Sequence, residues 1–272
     1  LATAIAVLLF ADGISHVPTQ NPTLRSDVLT PGLWEAYNKT PPPRHGIGRV
    51  MITPRAEEVL LMSGVTSVHQ DFVGKRLALW SNLNLIEGVP KVNGSATLQL
   101  KHQAEIQKAL YAKTNGIPSG LLDFLGAKYM SGGGNVFDWM ERPAALPMVT
   151  AGQSPTFAGA SETIEALLDS AFDAKSVVYL PTESQAEFSQ VAASGANASI
   201  RELQVTSVTV SFRVETDQQT VVVVAQSFSR NWRATVDGVR VPVWRSNHAF
   251  QAVKVPAGQH AVKLEYVDRH FH

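Results

Sequence analysis

Between Asn231 and Tyr266 the order of the residues reads as a β-meander with two fixed turns. Arg233 to Val236 alternates polar and apolar residues, Asp237-Gly238 interrupts, and Val239 to Trp244 alternates back. Alternation of this kind puts every second side chain on one face of a sheet. Asp-Gly suits a type I′ hairpin turn, because both central residues need positive φ and the twist matches the flanking strands. Phe250, Ala252 and Val253-Lys254-Val255 make the next strand, and Pro256-Ala257-Gly258 turns it. Val262, Leu264 and Tyr266 then share one face of the last strand. The stretch reads as packed sheet with structural turns at Asp237, Gly238 and Gly258, not as a catalytic centre.

The same character begins at Ser199. Val208, Val210, Phe212 and Val214 alternate, Asp217-Gln218-Gln219 turns, and Val221 to Ala225 is a wholly apolar strand suited to a sandwich interior. Earlier segments are mixed. Helices are expected over Arg55–Met62, Ala96–Ala112, Leu121–Leu125 (behind a Ser119 N-cap) and Ser161–Ala171, where Ser161 or Thr163 leads. Strands are expected over Gly48–Thr53, Ala78–Ile86, Ala127–Met130, Ala145–Thr150 and Ser176–Leu180. Asn115-Gly116-Ile117-Pro118 stops the second helix. Residues 14–44 are proline-rich loop, with Trp34 and Tyr37 as anchors to the body. The expected class is α+β: a mixed α/β first domain over 13–198, then a small all-β antiparallel sandwich over 199–268. The boundary falls in the polar, Ser/Ala-rich connector 181–198.

The N-terminus adds a membrane expectation. Leu1 to Ala11 is apolar throughout and Asp12-Gly13 ends it. Eleven residues are too few to span a bilayer, which needs about 20. Without a basic segment before it, the stretch is a poor signal peptide. Residues 1–12 are therefore expected to be the end of a transmembrane helix, the competing reading being a buried core helix. The net charge is zero, so nothing marks a nucleic-acid partner. Cysteine is absent, which removes thiol nucleophiles and Cys-ligated metals.

Motifs for chemistry are few. Gly132-Gly133-Gly134 lacks the Walker lysine and the dinucleotide-binding spacing, and reads as a loop tip. No Gly-x-Ser-x-Gly elbow occurs, and no carboxylate pair stands out by spacing. Among eight histidines, His248, His260, His270 and His272 cluster late in the sequence, but no helical i,i+4 pair exists. Neither a metal nor a cofactor is expected. Of the five tryptophans, Trp232 and Trp244 flank predicted strands; with Arg245 they are the candidate ligand-binding residues, aromatic platforms for sugar rings set against a core-packing alternative.

Several segments together resemble a known family. Asn231-Trp232-Arg233-Ala234-Thr235-Val236-Asp237-Gly238, Phe250 to Val253 and Val255-Pro256-Ala257-Gly258-Gln259-His260 are similar to the paired terminal hairpins of bacterial YfhO-type membrane proteins. This chain has Asn231 where the family often has Gly. Gly48-Arg49-Val50, Leu121 to Tyr129, Ala145-Leu146-Pro147 and Phe172-Asp173 resemble further family segments, with Met148 in place of a basic residue, and Ala11-Asp12 followed by Asn21-Pro22 resembles its exit from the last membrane helix. The resemblance implies an extracytoplasmic part of a polytopic membrane protein on the plan of GT-C glycosyltransferases, which take sugar from a lipid-linked donor and act on cell-envelope glycopolymers. The implied partners are the protein's own upstream membrane domain and a glycan or lipid-linked sugar. The family's catalytic acidic residue is expected upstream, so no catalytic residue is assigned here. The alternative is a carbohydrate-binding or adhesion module.

Overall fold

Thr220–Val224 is a strand with every residue buried, and the other layers are arranged around it. The computed structural model describes residues 2–20, 23–38, 40–65, 67–112, 116–132, 134–191 and 195–268, the side chains of 17–20 excepted. Asn21, Pro22, Asn115, Gly133, His270 and His272, which figure in the sequence reading, lie outside the described residues.

In chain order the first elements are α1 (Ala2–Gln20), α2 (Leu33–Tyr37), β1 (Arg49–Met51), α3 (Pro54–Met62), α4 (Val68–Leu77), α5 (Lys101–Ala112) and α6 (Ser119–Phe124). Next come β2 (Ala127–Ser131), β3 (Trp139–Glu141), β4 (Val149–Ala151), β5 (Ser154–Ala158), α7 (Ala160–Leu167) and β6 (Val177–Pro181). The rest is all strand: β7 (Ala198–Val205), β8 (Thr209–Thr216), β9 (Thr220–Val224), β10 (Trp232–Val236), β11 (Val239–Val241), β12 (Trp244–Ser246), β13 (Phe250–Val255) and β14 (Gly258–Tyr266). The class is α+β with a β-rich, sandwich-like C-terminal region.

Two antiparallel sheets form the sandwich, one in the order β11-β10-β14-β8-β7 and one in the order β12-β13-β9-β4. Val210, Phe212, Val214, Ala234, Val262 and Leu264 of the first meet Val222, Val224, Val253 and Val255 of the second. The second sheet is covered on its other face as well. Val221, Val223, Phe250 and Ala252 pack against Ile106 and Leu110 of α5, Leu121 and Phe124 of α6, and Leu167 of α7. Burial on both faces explains the unbroken valine run, since each fully buried valine contributes about 1.5–3 kcal/mol relative to exposure. Arg49 ties the helical layer to this sheet by donating to the carbonyls of Leu125 (2.9 Å) and Ala225 (2.6 Å). Burial lowers its pKa to about 10, which leaves it charged at neutral pH.

The structure departs from the sequence reading in definite places. Residues 78–86 are not a strand; they form turns and a 3-10 segment at Leu83–Leu85, with Leu79 and Ser81 at φ 52° and 53°. Their carbonyls converge on the Lys91 ammonium, a polar reward that an extended strand would forfeit. Helix α5 begins at Lys101, not Ala96, because Leu98 lies exposed and has no core to join. Ser119 is inside α6, behind Pro118. At α7 the capping group is the Glu162 carboxylate, which accepts from the Gly159 N–H at 2.8 Å, not Ser161 or Thr163. Trp34 is buried as an anchor whereas Tyr37 is exposed. The stretch 181–198 is more than a polar connector, since Phe188 and Val191 are buried in the core.

One buried ion pair fixes the N-terminal loops. The Arg76 guanidinium donates to Glu87 and to the Val28 and Thr30 carbonyls, and both side chains are 3% exposed. Glu87 also accepts from the N–H groups of Gly32 (2.9 Å) and Trp34 (3.2 Å). Burial acts to raise the Glu87 pKa, but Arg76 and the two N–H donors outweigh it and hold the carboxyl below its ordinary value. At the other end, Asp237 (φ 50°) and Gly238 (φ 81°) form the turn between β10 and β11, both left-handed as a type I′ turn requires. Asp237 also accepts from the Ala261 N–H at 2.8 Å and pairs with His260 Nδ1 at 2.6 Å. Gly258, at φ 123°, opens β14.

Three outcomes follow from this packing. Glu87→Ala leaves a buried guanidinium unpaired and should cost about 3–5 kcal/mol in urea unfolding. Because the folded pKa of Glu87 is depressed, its contribution is present above the ordinary glutamate pKa and is lost as pH falls through the folded value. Gly238→Val should lower stability by about 1–2 kcal/mol, and since no atom lies within 4 Å of the added Cβ, an unchanged melting temperature would refute the backbone argument. The Asp237 hydrogen bond raises the pKa of His260, and the same bond lowers that of Asp237. The pair therefore supports the hairpin from above the depressed Asp237 pKa up to the raised His260 pKa. Asp237→Asn should return His260 toward its ordinary value in an NMR titration.

Candidate functional site

Helix α5 is held by its apolar face, Ile106 and Leu110, against the second sheet. That orientation leaves His102 and Glu105, three residues apart and so neighbours on the helix surface, free to face the β12–β13 turn. His102 Nδ1 lies 3.1 Å from Glu105 Oε2. From the turn, His248 Nε2 reaches the same oxygen at 2.6 Å. The two imidazole rings meet edge to face with centroids 4.8 Å apart. Arg245, on β12, donates to His102 Nε2.

The turn that delivers His248 is strained. Asn247 (φ 42°) and His248 (φ 68°) are consecutive left-handed residues that are not glycine; the conformation costs about 1–2 kcal/mol at His248, and less at Asn247, whose short side chain bonds locally. It is held by Asn247, whose N–H donates to the Tyr179 carbonyl (2.7 Å) and whose Oδ1 accepts from the Tyr179 N–H (2.9 Å). Asn247 is 1% exposed and His248 is 6% exposed. Burial is the largest cause of the lowered pKa of His248 and outweighs its bond to Glu105, so the imidazole is neutral at neutral pH. The Glu105 carboxyl is held below its usual range first by the His248 hydrogen bond and, against the effect of burial, by His102 as well.

A cleft of ≈ 620 Å³ opens beside this cluster, lined by His102, Phe228, Arg230, Trp244 and Arg245 among others. Arg245 and His248 also line a smaller pocket with Glu183. Trp244 and Arg245, both candidates from the sequence, thus come together in one cleft. Trp244 is half-buried with its ring against Phe188 (centroids 6.1 Å apart), and its indole N–H is buried with no partner among the described residues. Trp232 does not join them. It is 8% exposed, belongs to the sandwich core, and meets Tyr266 edge to face at 5.6 Å. Asp237 and Gly238 sit at the β10–β11 hairpin turn, whereas Gly258 stands where the chain crosses from β13 to β14, which lie in different sheets, as β11 and β12 do; the expected meander over 231–266 is therefore split between the two layers, and none of the three residues lines the cleft.

Sequence reasoning noted His248 but passed over His102 and Glu105. The available signal was the spacing of these two on the one strong helix of the first half; nothing in sequence tied that helix to the β12–β13 turn. Chemically, the cleft offers an aromatic wall and two guanidinium groups, suited to a sugar carrying an anionic group. Asn247→Ala should cost about 2–3 kcal/mol in chemical unfolding, because it removes both a side chain that tolerates left-handed backbone and the partner of a buried N–H.

Residues 173–272 match the model of a family described as bacterial membrane protein YfhO. The match includes Trp244, Arg245 and His248 and begins downstream of α5, which supplies His102 and Glu105. No curated protein and no solved structure matches the chain significantly. Among the described residues no helix is long and apolar enough to cross a membrane.

Proposed function

We propose that this chain, which carries a YfhO-type region over residues 173–272, is the extracytoplasmic part of a membrane glycosyltransferase of GT-C plan that acts on cell-envelope glycopolymers. In this reading the present part is not catalytic. It holds an acceptor glycan, or the head group of a lipid-linked sugar, and packs on the protein's own membrane domain. The observation that carries the reading is the cleft in which Trp244 stands beside Arg230 and Arg245. An aromatic face stacks on the apolar side of a sugar ring, and paired guanidinium groups take the charged substituent. The state of α1 supports membrane attachment: Leu8, Leu9 and Phe10 are about two-thirds exposed or more, an arrangement suited to the end of a helix continuing into lipid.

The second reading, a carbohydrate-binding or adhesion module, rests on the same cleft without the transferase. The two differ in what lies upstream of Leu1. A series of apolar segments of about 20 residues each favours the transferase, and a secretory leader alone favours the module. Glycan binding itself is measured by titrating the chain with anionic and neutral cell-wall oligosaccharides. Arg230→Ala, at an exposed position, should weaken binding of the anionic series at least fivefold, consistent with loss of one charge-assisted contact of about 1–3 kcal/mol, and leave folding intact. Equal affinity of the wild type and this variant for every glycan would remove the cleft from the account.

A further inference from the structure

We propose that His102, Glu105 and His248 form a binding site for one divalent transition-metal ion of the zinc class. One ligand atom from each lies within 4.8 Å of the others, and the two segments that carry them are anchored to the same hydrophobic core. Two imidazole nitrogens and a carboxylate oxygen are a donor set that favours zinc and its neighbours over magnesium or calcium, which prefer all-oxygen surroundings. Metal–ligand bonds of about 2.0–2.2 Å need ligand atoms roughly 3.3 Å apart. The two carboxylate–imidazole spacings, 3.1 Å and 2.6 Å, are within a small side-chain adjustment of that figure. Left-handed backbone at Asn247 and His248 closes the tight β12–β13 turn and so brings His248 to this spot. The site does not depend on the transferase reading, and it extends the YfhO-matched region by two ligands from outside it.

Three protein ligands leave a fourth position, the pattern of sites that take water or an exogenous ligand, and of the three residues His102 lines the cleft. Arg245 bears on how the ion enters. Its guanidinium has no acceptor, so while it donates to His102 Nε2 the ring proton sits on Nδ1, the atom the metal needs. Binding therefore turns Arg245 away from His102 and into the cleft that both residues line. An anionic ligand there would be held by Arg245 and the metal together.

The test is zinc calorimetry, with cobalt absorption spectra as a report on coordination, on the 272-residue chain in a His270→Ala, His272→Ala background. The expected result is one equivalent of zinc and a cobalt spectrum of tetrahedral intensity. His248→Asn and Glu105→Gln should each weaken binding at least tenfold, given that even outer-shell changes cost about 10–100-fold in metal affinity. Far-UV circular dichroism and the metal-free melting temperature verify that each variant is folded. Arg245→Ala should bind zinc more tightly than the parent, an outcome that a merely structural histidine pair would not give. Zinc binding that is absent in the parent, or that survives both His248→Asn and Glu105→Gln unchanged, overturns the site. Equal affinity in Arg245→Ala overturns the displacement of Arg245.

Discussion

The structure depends on one sheet being dry on both sides. Strands β9 and β13 pair in the middle of the four-stranded sheet, from Gln251 opposite Val224 to Val255 opposite Thr220. Their side chains alternate between two cores: Val222, Val224, Val253 and Val255 enter the sandwich, and Val221, Val223, Phe250 and Ala252 enter the helical layer. A strand normally shows water one face and so alternates apolar with polar residues; one that serves two cores cannot. The run of four valines is the result, and every other layer is placed by which of the two faces it covers.

That central sheet also explains where the polar chemistry collects. β12 is the edge strand beside β13, so its turn emerges at the border between sheet and helical layer. Helix α5 covers the same sheet, and its polar face looks toward that border. Histidine and carboxylate groups from segments 143 residues apart meet there because both are anchored to one hydrophobic core. The strain at the Asn247–His248 turn is tolerated because Tyr179 of β6 grips it, its carbonyl accepting from the Asn247 N–H and its N–H donating to the Asn247 side-chain oxygen.

Buried and half-buried cations do the fastening outside the cores. Arg49 bridges backbone carbonyls of the helical layer and of the end of β9; Arg76 binds three separate acceptors in the N-terminal loops; Lys91 collects two carbonyls from the turns after α4. Each satisfies carbonyls that irregular backbone leaves without a ladder partner, and each would be costly to remove for that reason. Irregular segments held in this way give little periodic signal, which is why residues 78–86 read as a strand from their alternation and fold as turns.

By itself the sequence determined whatever depends on neighbouring residues. Asp237-Gly238 dictates left-handed backbone at the β10–β11 turn, the alternation of Val208, Val210, Phe212 and Val214 announces a one-faced strand, of which Val208 proves exposed and outside β8, and the apolar run Val221–Ala225 announces an interior strand, found at Thr220–Val224. The α+β class followed from those periods. Tertiary structure decided what depends on residues far apart. It gave the central sheet an edge strand from Val149–Ala151, buried Trp232 while leaving Trp244 at a cleft, and brought His102 and Glu105 to His248. No local pattern encodes these, because a helix bears the same periodicity whichever sheet it covers, and the choice is made by the apolar area it buries there.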